Sequence, residues 1–110
     1  MNKIKTGATF NVSLEILDNF TNRPMIIDDT ISIEAKIYSY KNELISVPTI
    51  EIVNQDLYPG FILLKVSDKD TEKWPIGEAY LNIKLNINND ENILKTDTYK
   101  FIIEDDKNGY

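Results

Sequence analysis

The chain has 110 residues, the size of one domain with a genuine core, and its 18 acidic against 12 basic side chains give a formal charge of −6. That charge repels phosphate backbones and anionic bilayers, and Arg23 is the only arginine, so neither a nucleic acid nor a membrane is expected as partner. Cysteine and histidine are both absent, which removes disulfides, thiolate nucleophiles, imidazole bases, and zinc or haem ligation through those groups.

The 17 isoleucines against three alanines favour strands, because β-branched side chains suit a pleated surface better than a helix. The opening residues 1–6 hold no apolar run after their charges, so no secretory signal is expected. Residues 9–17 alternate, with Phe10, Val12, Leu14 and Ile16 on one side and Asn11, Ser13 and Glu15 on the other, the period of a half-buried strand. Turn formers fill residues 18–24, and Met25, Ile26 and Ile27 follow as an expected short strand.

Alternation resumes over residues 30–40, with Ile31, Ile33, Ala35 and Ile37 inward. Lys41 and Asn42 turn the chain into residues 43–46, and Pro48 confines the strand at 49–53 to an edge or to a start at that point. After a connection bracketed by Asn54 and Gly60, residues 61–66 are apolar on both sides until Lys65, as in a central strand. Residues 68–73 suit one helical turn capped by Asp68 or Asp70. Residues 78–88 form the clearest strand, with Ala79, Leu81, Ile83, Leu85 and Ile87 on its apolar side. Residues 88–92 turn, residues 96–104 return with Tyr99, Phe101 and Ile103 alternating, and the polar tail 105–110 is expected to fray. No stretch of 18 apolar residues exists, so no membrane-spanning helix is expected.

These elements amount to about seven strands with a turn every eight to twelve residues, which is the pattern of a single antiparallel two-sheet β-sandwich over residues 1–110. Little in the sequence points to chemistry. Asp68, Asp70 and Glu72 are spaced like the first ligands of a calcium loop, but its glycine and closing glutamate are missing, and a solvated charged turn accounts for them. Asp90 and Glu91 make a second acidic turn, and no pair of carboxylates is singled out for glycoside hydrolysis. Neither an enzyme nor a cofactor is expected. With no secretory signal expected, the triplets beginning at Asn11 and Asn19 are expected to be chance matches to the glycosylation pattern.

Several short motifs carry a family likeness. Gly7, Thr9 and Phe10 open the first clear strand, Arg23 and Pro24 lie in the turn after it, and Pro59, Gly60 and Phe61 precede the central strand. Thr71, Trp74, Pro75, Gly77 and Ala79 then lead into the longest strand, and Thr96, Thr98 and Tyr99 into the last. In these motifs the chain resembles the immunoglobulin-like β-sandwich domains of tailed-bacteriophage virion proteins, found in baseplate, collar and receptor-binding assemblies. It departs from them at Asn82, where aspartate is frequent, and in lacking a glycine in the hairpin after Ile87.

The resemblance implies a non-enzymatic structural protein of the virion (tail, collar, baseplate or fibre attachment). Its partners would be other virion proteins, and its assembly a homo-oligomer or ring about the tail axis. A carbohydrate- or host-receptor-binding module, and a small phage-encoded inhibitor of a host protein, are the alternative readings. Four residues are candidates for an interface. Trp74 either plugs one end of the sandwich or anchors a subunit contact. Tyr80 lies on the polar side of its strand and Tyr38 off the inward set, and with Tyr40 they either cover lysine stems or make the amphipathic contacts of a protein or sugar interface.

Overall fold

The computed structural model describes residues 2–18, 20–87, 92–95 and 98–105. Among them, alternating apolar residues build two stacked sheets. The first runs in the order β1 (Asn2–Lys5), β9 (Tyr99–Glu104), β7 (Gly77–Ile87), β3 (Ile31–Ser39) and β4 (Leu44–Ser46). The short β8 (Asn92–Lys95) joins it beside the far half of β7. The second sheet runs β2 (Phe10–Glu15), β6 (Phe61–Val66), β5 (Thr49–Ile52).

This is an immunoglobulin-like sandwich: β2, β6 and β5 occupy the B, E and D positions, and β3, β7 and β9 the C, F and G positions. The strands are more numerous than the expected seven, nine segments in all among the described residues. The return strand accounts for part of the excess: β9 pairs with β7 up to Leu81, and β8 pairs with it from Lys84 onward. β1 accounts for the rest. It holds a single apolar residue, Ile4, and is recruited by parallel backbone pairing with β9, an exception to the antiparallel rule.

The core lies between the sheets. Ile37, Ile62, Leu64 and Leu81 are fully buried, and each such side chain contributes about 1.5–3 kcal/mol through burial. At one end Phe10, Trp74 and Phe101 pack ring on ring, with centroids 5.3–6.0 Å apart.

Two local expectations need correction. Met25, Ile26 and Ile27 form no strand, because the Met25 and Ile27 N–H groups donate instead to the Ile16 carbonyl and the Gln55 side chain. The helical turn exists as α1 (Asp68–Thr71), but its cap is Ser67, whose hydroxyl accepts from the Asp70 N–H; Asp68 and Asp70 lie inside the first turn. The expected β5 edge after Pro48 and the central place of β6 agree with the sheet order. Of the turn expected at 88–92, Asn92 instead opens β8 through its pairing with Ile87, and residues 88–91, with Asp90 and Glu91, lie outside the described residues, as do Asn19, Thr96 and the tail from 106 onward.

Candidate functional site

The four candidate interface residues fall into three different settings. Trp74 is 5% exposed and packs edge-on against Phe10 and tilted against Phe101. It is carried there by α1, whose last turn bonds the Trp74 N–H to the Thr71 carbonyl. It is the plug of one end, and the alternative reading of an exposed subunit anchor fails because the indole faces the core. Its N–H is buried without a hydrogen-bond partner among the described residues.

Tyr38 and Tyr80 come together: they sit directly opposite on β3 and β7, half-buried on the outer side of the first sheet. Tyr40 lies apart at the following turn, 53% exposed, its ring against Gly77 where a Cβ would stand 3.3 Å from it. Around the tyrosine pair, Lys36 bonds Glu34 at 3.0 Å and Lys100 bonds Glu78 at 2.9 Å. The hydrogen bond and charge of Lys36, with Lys84 beyond, hold the Glu34 carboxyl below its ordinary pKa. Thr98 donates to Asn82 at 3.0 Å. Glu34, Lys36, Tyr38, Asn82, Lys84 and Thr98 line an open groove of about 370 Å³ in this face. Most of its charged and polar tips already have partners, as on a solvated sheet surface.

A different surface emerges at the end opposite Trp74, where residues 16–30 join β2 to β3 and residues 53–60 join β5 to β6. The Gln55 amide ties the two loops: its Oε1 accepts from the N–H groups of Ile27 (3.0 Å) and Gly60 (2.9 Å). Its Nε2 donates to the carbonyls of Val53 and Phe61 at 3.0 and 3.1 Å. The Ile16 N–H donates to the Gly60 carbonyl at 2.8 Å, with Gly60 at φ +82°. Two side chains fold the tips: Asp18 accepts from the N–H groups of Phe20 and Thr21, and Asn54 from those of Asp56 and Leu57.

On this tied base, five large apolar side chains face solvent: Leu17 (42% exposed), Phe20 (98%), Ile26 (53%), Leu57 (68%) and Tyr58 (58%). Asp18, Asp28, Asp29 and Asp56 accompany them with Arg23 as the single cation, so the two loops hold a net charge of −3, half that of the chain. Thr30, through its hydroxyl and then its N–H, holds the Asp28 carboxyl below its ordinary pKa. Exposed apolar side chains gathered at one end among polar groups are the composition of a protein-binding surface. Sequence reasoning passed over it because these residues belong to no alternating run. The available signal was the presence of Phe20, Leu57 and Tyr58 inside runs of turn formers, where a side chain has no core to enter.

Among the described residues no group of three or more acidic, histidine or cysteine side chains could hold a metal ion. Asp68, Asp70 and Glu72 are exposed in and beside α1. No helix among the described residues is long and apolar enough to cross a membrane. Compared with known proteins, the sequence matches no protein-family model and no curated protein.

Proposed function

We propose that the chain is a non-enzymatic assembly module of a tailed-phage virion, acting through protein–protein contacts. The observation that carries a binding role is the apolar loop end, where Phe20 and Leu57 stand exposed on tips whose backbone the Asp18 and Asn54 side chains fold before any partner arrives. Such preorganisation lowers the entropy cost of docking. The acidic rim selects a partner whose matching surface is apolar at its centre and cationic around it. The virion setting rests on the likeness of the strand motifs to phage sandwich domains, and with it the expectation of copies repeated around the tail axis.

Quantitative mass spectrometry of purified particles of the source phage tests the setting, and the Phe20→Ala, Leu57→Ser variant tests the surface. A stoichiometric copy number for the natural chain, and loss of the folded variant from particles, is the expected outcome. A chain abundant in infected lysate yet absent from particles would sink the virion role and favour the host-inhibitor reading. The carbohydrate-binding alternative draws its support from the open groove that Tyr38 lines, and glycan binding abolished by Tyr38→Ala would favour it.

A further inference from the structure

Four strands end the two sheet paths, β1 and β4 in the first sheet and β2 and β5 in the second. Natural edges are guarded by lysines, prolines, bulges or shortness, since an open row of backbone N–H and C=O groups invites a foreign strand. Three of the four are guarded. β1 carries Lys3 and Lys5, and β4 is three residues long with an irregular register against β3. β5 follows directly on Pro48 and is four residues long.

β2 has no such guard. It runs six residues in unbroken register with β6, from Phe10 opposite Val66 to Glu15 opposite Phe61, with neither proline nor lysine. Among the described residues no strand pairs with its other side, because β1, which precedes it, has crossed to β9. In a sandwich of this topology that side is the seat of strand A. The vacancy shows in the packing. Val12 and Leu14 of β2 are only half-buried, while their direct neighbours Leu64 and Ile62 on β6 are fully buried. A groove of about 270 Å³ opens there between β1 and β2, lined by Ile4, Phe10, Val12 and Tyr99 among others.

We propose that β2 is a strand-acceptor edge: an extended segment of another protein adds to the second sheet beside it, its alternate apolar side chains filling the groove. The remaining side chains of that segment are acidic or uncharged. Among the described residues Lys3 is the only charged one lining the groove, and β1 holds two lysines and no acid in a chain of −6. A second copy of the chain is a poor occupant. Two bodies of like charge would meet along an edge roughly 20 Å long and one strand spacing wide, well below the area of a standard stable interface, about 800 Å² per partner. A flexible segment, tethered by a subunit already in place, needs no such area. This inference concerns a different surface from the loop end and stands without it.

The test uses the whole chain and, as probe, a short capped peptide alternating valine with threonine and carrying glutamate at each end. Backbone NMR shifts and amide hydrogen exchange follow its binding. The expected result is new protection within Phe10–Glu15 and shifts at Ile4 and Tyr99. Val12→Lys should weaken binding about tenfold or more, because its ammonium reaches water through the open groove but is buried by a docked strand. Ile52→Lys on the β5 edge should leave binding unchanged. Should Val12→Lys unfold, the peptide map on the natural chain decides alone. No shifts at millimolar peptide, shifts confined to β4, β5 or the loop end, or equal binding by folded Val12→Lys would each overturn the proposal. Protection of β2 that grows with protein concentration, without peptide, would make a second copy the occupant and overturn it equally.

Discussion

Trp74 is the residue on which one end of the core depends, and its chemistry divides cleanly into shape and polarity. The ring fills the space between Phe10 and Phe101, while the indole N–H gains nothing from its burial because it meets no acceptor among the described residues. Trp74→Ala should therefore cost about 3–5 kcal/mol, in the range of large aromatic deletions. Trp74→Phe should cost less than half of that, since it keeps aromatic contacts and removes a buried donor that has no bond to lose. Urea unfolding followed by far-ultraviolet circular dichroism measures both; equal costs would show that a phenyl ring recovers none of the indole's packing and would overturn this division. The plug role was one of two readings that the sequence left open for Trp74, and its burial decided between them. The pairing of Tyr38 with Tyr80 was not legible in the sequence, since it depends on the register between two strands distant in the chain.

Among the elements, the loop end is held by backbone geometry as much as by side chains. Gly60 adopts φ +82°, and a Cβ there would stand 2.8 Å from the Ile16 carbonyl oxygen and 3.1 Å from the Pro24 Cβ. Gly60→Ala should cost at least about 1 kcal/mol from the left-handed backbone alone, and more from the clash. It should also speed hydrogen exchange at Ile16 and Ile27 more than at β7, because the two loops part before the sheets do. Uniform acceleration across the chain would show that the loops are not a separate unit. Of these elements, β2, β3 and β7 could be read from alternation. The tie between the loops could not, because it runs through Gln55, an ordinary polar residue in a turn whose four bonds exist only once both loops are in place.

At the scale of the whole molecule, stability should be level across neutral pH and fall at both extremes, because the chain has no histidine to titrate between. Asp28 and Glu34 have folded pKa values below their ordinary ones, the first through bonds from Thr30 and the second through Lys36. Their stabilisation is complete above the unfolded pKa and is lost as pH falls through the folded one, from about pH 5 downward. Lys36 and Lys100 are raised by their bonds to Glu34 and Glu78, so theirs is complete below the unfolded pKa and disappears as pH rises through the folded one, above about pH 10. All four groups are exposed, so the slopes should be shallow and flatten further in salt. Urea midpoints measured across pH, for the natural chain and for Asp28→Asn with Glu34→Gln, check this. An unchanged acid slope in the double variant would place the acid sensitivity elsewhere.

The sequence by itself determined the sandwich, its central strands and the absence of thiol and imidazole chemistry. Those properties follow from side-chain identity and a local two-residue period, which each strand carries whether or not its neighbours are known. Only the tertiary structure decided that β1 leaves β2 for β9, that β2 is left bare, and that Phe20, Leu57 and Tyr58 share one end. Strand partnership is made by backbone hydrogen bonds between segments far apart in the chain. Every residue type except proline offers the same donor and acceptor, so nothing in a residue's name announces which edge it will meet.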